Sequence, residues 1–371
     1  MKRMRITFLC LGLSLQTLFL LPLQACEHAG DLYKVGVASR SFVPKGPYNW
    51  RGAKTHALIT TIWYPADAAS VEQPQWIGSP DSPFASAGKA ARDAKLAAAP
   101  AKFPLILLSH GTGASSLMMA WMGTVLASHG YIAAAVNHPG NNGVDGYTVQ
   151  GFSLWWERAT DLSALIDQML ADSTFGARLD PQRIGAAGFS LGGFTMLEIA
   201  GGIGELSRYE EFCKSPRADG MCVDPAEFPN LLSKVEELSK TDPEFQAALR
   251  EARHSHRDPR IRAVLAIAPA IGPAFDSESL EGISIPVEIV AGADDTVVPP
   301  ATSARFFAAR IKGAKLTLFP AVGHYTFLAT CADVGKRARP ELCNDAPGVD
   351  RDAIHANTVA MAVSFFTANL K

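Results

Sequence analysis

Residues Arg183–Ala200 read RIGAAGFSLGGFTMLEIA, four glycines around a single serine, Ser190. An apolar run of small residues leads up to that serine, and a second apolar run follows it. An unbroken apolar run that stops at glycine is the pattern of a strand buried on both faces. The stretch therefore predicts a strand that turns sharply into a helix over Leu191–Ile203. Ser190 stands at the turn, and Gly188 and Gly192 sit two positions to either side.

The same pattern recurs outward from this point. FPLILLSHG (103–111), YIAAAVNHPG (131–140), IRAVLAIAPAIG (261–272), IPVEIVAGADD (285–295) and KLTLFP (315–320) all read as strands. Between them, SSLMMAWMGTVLASHG (115–130), LWWERATDLSALIDQML (154–170), ATSARFFAARI (301–311) and RDAIHANTVAMAVSFFTANL (351–370) carry helical spacing. YKVGVASRSFV (33–43) and HALITTIWYPA (56–66) read as further β segments. Alternating strands and helices imply an α/β fold, a mostly parallel central sheet with helices on both faces. Residues 70–101, rich in Ala, Ser and Pro, read as a surface excursion with a short helix. Residues 204–258 interrupt the alternation with polar, helix-forming sequence and read as a cap inserted over one end of the sheet.

With 371 residues the chain suits one large α/β domain or two small ones. A hydrophobic content of 48% against 19% charged residues describes a core-former and excludes a disordered chain. The net charge is −2 and no basic block occurs, so there is no electrostatic case for nucleic acid. MKRMR (1–5) precedes the apolar run ITFLCLGLSLQTLFLLPLQAC (6–26), which reads as an export signal over residues 1–25. Leu23–Cys26, LQAC, is similar to a bacterial lipobox, with Gln24 as a departure; on that reading Cys26 is lipidated. A plain secreted chain and an uncleaved anchor remain the other two fates. The expected location is the periplasm, the outer membrane through the lipid, or the medium.

Beyond Cys10 and Cys26, four cysteines fall as two local pairs, Cys213 with Cys222 and Cys331 with Cys343. In an exported chain an even number suggests disulfides. Three connectivities are open, and the short separations favour the local one. Histidines and cysteines show no close metal-ligand spacing, so neither a metal nor a cofactor is expected.

Ser190 lies in GFSLG, which fits G-x-S-x-G, the elbow that lifts a nucleophilic serine above a sheet. A serine hydroxyl needs a base, and the base needs an orienting carboxylate. Where such an elbow is used, the acid and then the histidine follow it along the chain. His324 and His355 are the histidines beyond the acid strand. His324, in a glycine-preceded loop after KLTLFP, is placed to present a mobile imidazole; His355 lies within a helix, where packing is its ordinary role. The turn GADD offers both Asp294 and Asp295 as the acid. Backbone N–H groups of Leu191, after the serine, and of Thr112, in SHGTG, are the candidates for the oxyanion hole. Trp155 and Trp156 are candidates either for an acyl pocket or for a helix face in the core. Phe212, Met221 and Phe228 are the cap's candidates for lining that pocket.

Together IWYPA, SHGTG, GFSLGG, GADDTVVP, GHYTF, the later cysteines and VDRDAIH resemble the α/β-hydrolase superfamily. Within it the chain resembles the platelet-activating-factor acetylhydrolase and predicted dienelactone hydrolase branch, from about Tyr33 to the C-terminus. The resemblance implies a hydrolase domain over residues 26–371 and a serine esterase or lipase preferring short acyl groups. Its substrate would be a small-molecule or lipid ester, with membrane attachment only through the N-terminus. The D-x-V-V-P turn counted from Asp295 is similar to the acid turn of such hydrolases and selects Asp295 over Asp294. Two departures stand out: dienelactone hydrolases use cysteine where Ser190 stands, and Phe189 occupies a position that is commonly histidine in acetylhydrolases. An amidase or peptidase using the same residues, or a non-catalytic binding protein of the same fold, are the alternatives.

Overall fold

Runs without alternation become the middle of the sheet, where helices cover both faces. The computed structural model describes residues 32–371; the expectations for the signal at residues 1–25 and for Cys26 fall outside them. The strands are β1 (Lys34–Phe42), β2 (Leu58–Ala66), β3 (Gln73–Ser79), β4 (Ser82–Arg92), β5 (Phe103–Ser109), β6 (Ile132–Val136), β7 (Asn141–Asn142), β8 (Gly146–Tyr147), β9 (Leu179–Phe189), β10 (Ile261–Ile267), β11 (Val287–Gly292) and β12 (Lys315–Phe319). Ten of them form one sheet in the order β12-β11-β10-β9-β5-β6-β2-β1-β4-β3. From β6 to β12 the neighbours are parallel, whereas β2 is antiparallel to both β6 and β1. β7 and β8 make a separate two-stranded ribbon.

Helices α1 (Ala120–Ser128), α2 (Val149–Ser153), α3 (Glu157–Ala171) and α4 (Leu191–Ala200) follow the central strands. All ten residues of α4 are buried, including Thr195 and Glu198 among its apolar side chains. It stops at Ala200, short of Ile203, because Gly201 takes φ 121° there. α3 buries Leu162, Leu165, Ile166 and Met169 but also the charged Arg158 and Asp161. The C-terminal half adds α5 (Leu206–Cys213), α6 (Leu231–Thr241), α7 (Pro243–Glu251), α8 (Ser277–Glu281), α9 (Ala304–Ala308), α10 (Asp333–Ala338), α11 (Pro340–Cys343) and α12 (Arg351–Asn369).

One expectation is overturned. Residues 70–101 form no helix; they fold into the β3–β4 hairpin, and β4 pairs with β1 at the sheet's edge. Alanine favours helices, but the propensity is a fraction of a kcal/mol per residue and packing overrides it. Ala85 and Ala87 alternate inward along β4, and Gly88 lets it approach Thr124 on α1. β4 also accepts the chain beyond His324: Ser86 N–H donates to Thr330 O and Ala332 N–H to Phe84 O, both at 2.9 Å.

The polar segment 204–258 carries α5, α6 and α7. Its ends are tied to the sheet domain where Glu205 N–H donates to Ala274 O (2.9 Å) and Asp258 N–H to Ile199 O (3.1 Å). Leu231, Val235, Phe245 and Ala252 pack with Phe152, Leu154 and Trp156 in a second, small core. One apolar stripe per helix is enough for that, which is why the segment reads as polar.

Cys213–Cys222 and Cys331–Cys343 are bonded, with sequence separations of 9 and 12. Closing loops of this size stabilises the fold by roughly 2–4 kcal/mol each through the unfolded chain. A Cys331→Ser, Cys343→Ser double variant should therefore melt several degrees lower in calorimetry, and the wild type should fall further on adding reductant, which opens both bridges. Peptide mapping without reduction should recover both local pairs; crossed pairs would contradict the structure.

Candidate active site

At Ser190 the backbone takes φ 56° and ψ −116°, a region that L-residues seldom occupy. Three hydrogen bonds hold it there. Ser190 N–H donates to Ile267 O (2.8 Å), and Ser190 O accepts from Phe194 N–H (3.0 Å) and Ala270 N–H (3.1 Å). The flanking glycines are required by contact. A Cβ on Gly188 would strike the carbonyl of Gly192, and one on Gly192 would strike the carbonyl of Ser109. The turn is tight because β9, β5 and the start of α4 meet at that point.

β11 ends at Gly292, and the turn beyond it points one aspartate inward and one outward. Asp294 is exposed, its N–H donating to Val322 O (3.1 Å). Asp295 is 3% exposed; its Oδ1 accepts from Val297 N–H (3.0 Å) and Val298 N–H (2.7 Å). Its Oδ2 lies 2.7 Å from His324 Nδ1. His324 Nε2 in turn lies 3.0 Å from Ser190 Oγ. Three side chains from the ends of three parallel strands thus form one hydrogen-bonded line. The aspartate dictates the tautomer: Nδ1 carries the proton, so Nε2 is free to accept from the serine.

His324 is held rather than loose. It opens a short 3-10 turn, His324–Phe327, and packs against the Phe189 ring at 4.9 Å between centroids. The aromatic residue that departs from the acetylhydrolase pattern is thus a platform for the imidazole. From the other side, His355 Nε2 donates to Thr326 O (2.9 Å), and Thr326 Oγ1 donates to Asp345 (2.7 Å), itself gripped by Arg351 (2.9 Å).

Thr112 lies in the irregular turn after β5. Ala114 N–H donates to Gly111 O (3.3 Å), and so does His110 Nδ1 (2.7 Å). Because Gly111 C=O and Thr112 N–H share one peptide plane, holding the carbonyl turns the N–H to the opposite side. No acceptor for Thr112 N–H is found among the described residues. Leu191 opens α4, so its N–H lacks an intrahelical acceptor.

Beneath this turn lies a layer of buried charge that the sequence reading missed. Arg51 places Nη2 at 2.8 Å from both carboxylate oxygens of Asp161; Tyr48 OH donates to the same carboxylate. Asp161 Oδ2 also accepts from His138 Nδ1 (2.7 Å), and His138 Nε2 meets Ser109 Oγ (2.9 Å). Arg158, 1% exposed, donates to His110 O and Ser109 Oγ. Burial lowers its pKa to about 9 and keeps His110 and His138 neutral, far below the usual histidine value. One signal was available: Arg158 and Asp161 lie three apart on the apolar face of α3, and buried charges occur where they are paired.

Trp155 and Trp156 belong to the core. Trp156 sits in the small core under α6, and Trp155 packs on Phe194 and Tyr209. Of the three cap candidates, Phe212 is buried and Phe228 packs edge-on to Phe152. Met221 bonds near the serine: its Sδ accepts from Ile271 N–H at 3.2 Å, one residue past the Ala270 that bonds Ser190 O. Segment 204–258 also reaches the chain after β11, where Thr302 Oγ1 donates to Asp219 (2.5 Å). At the turn after β5, Glu227 lies against Gly113.

The sheet order, the strained serine at the β9–α4 turn and the positions of the other two groups define an α/β-hydrolase fold. A family model for platelet-activating factor acetylhydrolase, isoform II, matches residues 82–153, which run from β4 through the Thr112 turn to α2. Lipase 1 of Moraxella sp. (strain TA144) is 38% identical over 80 residues, a match that spans only 22% of this chain and 22% of the lipase. A ferulic acid esterase from Streptomyces cinnamoneus superposes with a TM-score of 0.61 over 91% of this chain and 90% of its own, at 21% identity, a likeness of fold.

His355 generates a pH prediction. Burial and the neighbouring Arg351 lower its pKa to about 4, although the bond to Thr326 O, Asp352 and Asp345 pull the other way. Its folded pKa lies below the unfolded one, so the unfolded chain binds the extra proton. Stability is therefore lost as pH falls from about 6.5 towards 4, by at most ~3 kcal/mol from this group. His110 and His138 add in the same direction, whereas Asp161 and Glu198, raised by burial, act in the opposite one. His355→Gln keeps a donor for Thr326 O without titrating. Its melting temperature should fall less than the wild type's between pH 6.5 and 4.5; identical slopes would exclude His355 as a source of the acid lability.

Proposed function

We propose that the chain hydrolyses carboxylic esters through an acyl-enzyme on Ser190. The observation that carries this is the hydrogen-bonded line Ser190–His324–Asp295 at the strand ends, with the Thr112 and Leu191 N–H groups unspent among the described residues. His324 Nε2 takes the Ser190 proton as Oγ attacks the ester carbonyl. The carbonyl oxygen becomes an anion that accepts from the two backbone N–H groups. Preorganised donors of this kind lower the barrier by ~3 kcal/mol each. When the tetrahedral intermediate collapses, His324 protonates the departing alcohol. Water then repeats the sequence on the acyl-enzyme and frees the acid. Asp295 stays ionised and stabilises the imidazolium.

Esters are favoured over amides because the partial relatives are named as a lipase and an acetylhydrolase family. A small-molecule or lipid ester with a short acyl group fits a serine that is 8% exposed. In this reading the cap walls the acyl side through Met221, and Glu227 borders the oxyanion side. Export is part of the same proposal; two disulfides support it, since such bonds persist in oxidising compartments. Lipidation at Cys26 would attach the protein to a membrane.

A fluorophosphonate probe should label the wild type and leave folded Ser190→Ala unlabelled; labelling of that variant would overturn the nucleophile. Asp295→Asn should lower kcat by about four decades, as loss of the oriented tautomer does elsewhere. Asp294→Asn, at an exposed site, should lower it far less. Amide and p-nitrophenyl ester panels run side by side test the ester reading. Met221→Ala should shift the preference among acyl lengths, by ~1–3 kcal/mol per methylene at most; an unchanged profile would remove the cap from the acyl wall.

A further inference from the structure

The turn that carries Thr112 has no regular structure, yet its backbone is gripped from one side by a single neighbouring segment. Ser116 N–H donates to Asn137 Oδ1 (2.7 Å), and Gly143 N–H donates to Ala114 O (2.9 Å). Gly113, next to Thr112, is held at both of its polar atoms. Its N–H donates to Asn141 Oδ1 (2.8 Å), and its carbonyl accepts from Tyr147 OH (3.0 Å). Asn141 and Tyr147 are directly paired across the β7–β8 ribbon. Asn141 is fully buried, and its Nδ2 donates onward to Gly151 O (3.1 Å), so the side chain has one fixed orientation. Tyr147 is 38% exposed, at the outer end of the same grip.

We propose that Asn141 and Tyr147 are positioning residues for the oxyanion hole: their cross-strand pair fixes Gly113 and thereby the direction of the Thr112 N–H. This rests on the ester-hydrolase reading of the site. The two residues touch no reacting atom. They act because a donor must sit within tenths of an ångström of the developing anion, and a shift of about 1 Å costs on the order of 100-fold in rate. The ribbon also packs Tyr147 on Phe152 and holds Thr55 through Asp145 in its turn, but its two bonds to Gly113 are made by the paired residues themselves. It lies outside the ten-stranded sheet, and its two strands are two residues long.

The test uses the full chain and four variants, Asn141→Ala, Tyr147→Phe, their double, and Ser190→Ala. Sites are titrated with a fluorophosphonate so that kcat is expressed per active site. This separates a smaller folded fraction from slower turnover. Asn141→Ala should lower kcat per site on the order of 10–100-fold, and Tyr147→Phe roughly 3–10-fold, with KM within about threefold. Affinity for an alkyl boronic acid, which forms a tetrahedral adduct on the serine, should fall in parallel with kcat. The proposal is overturned if kcat per site stays within twofold of wild type, or if KM rises while kcat and boronate affinity hold. Should Asn141→Ala fail to fold, Tyr147→Phe decides alone, since it removes one hydroxyl from a half-exposed side chain and leaves the ring in place. Full activity in Ser190→Ala would instead sink the underlying reading of the site, whatever the ribbon variants do.

Discussion

The strained backbone at Ser190 is the constraint around which the site is built. A residue at φ 56° and ψ −116° costs of order 1–3 kcal/mol and survives only where its surroundings leave no alternative. Here β10 supplies the acceptor for its N–H, and the chain just past β10 and the first turn of α4 supply the donors to its carbonyl. The collisions that any Cβ at Gly188 or Gly192 would cause show how closely strand, helix and the end of β5 approach. That closeness puts Ser190 Oγ above the sheet and leaves the Leu191 N–H beside it.

Preorganisation extends outward in layers. The Phe189 ring and the turn at Thr326 hold the imidazole, and α12 holds that turn through His355 and Arg351. Below β5, Arg158 and His138 bond His110, with His138 in turn held by Asp161, and His110 Nδ1 donates to the Gly111 carbonyl. A buried ion pair such as Arg51–Asp161 adds little to stability over an apolar pair, but breaking it costs several kcal/mol. Its value here is geometric, because it leaves the loops above with one arrangement. The polar insertion is anchored at both ends and reaches the chain after β11 through Asp219 and the turn after β5 through Glu227.

Some of this was legible from residue order. The central strands are readable because a strand covered on both faces needs an unbroken apolar run. Ser190, the pair Asp294 and Asp295, and His324 could be picked out because each stands just past a strand, where the chain leaves the sheet, and the resemblance of the D-x-V-V-P turn favoured Asp295. The β3–β4 hairpin was not legible: alanine reads as helix, and only the seat against α1 and β1 makes a strand of Ser82–Arg92. The buried charges escaped for a similar reason. Arg51, His138 and Asp161 are scattered over a hundred residues, and nothing local marks them as neighbours.

By itself, then, the sequence determined the class of fold, the elbow and the chain order of the three groups, because these follow from local pattern: apolar runs, glycines at a turn, polar residues at strand ends. The tertiary structure decided which aspartate turns inward, since Asp294 and Asp295 are chemically alike and differ only in the direction the turn after β11 gives them. It also decided that Trp155 and Trp156 fill cores, and that a two-residue ribbon meets the turn at Gly113. Those outcomes depend on contacts between residues far apart in the chain, which a local pattern does not encode.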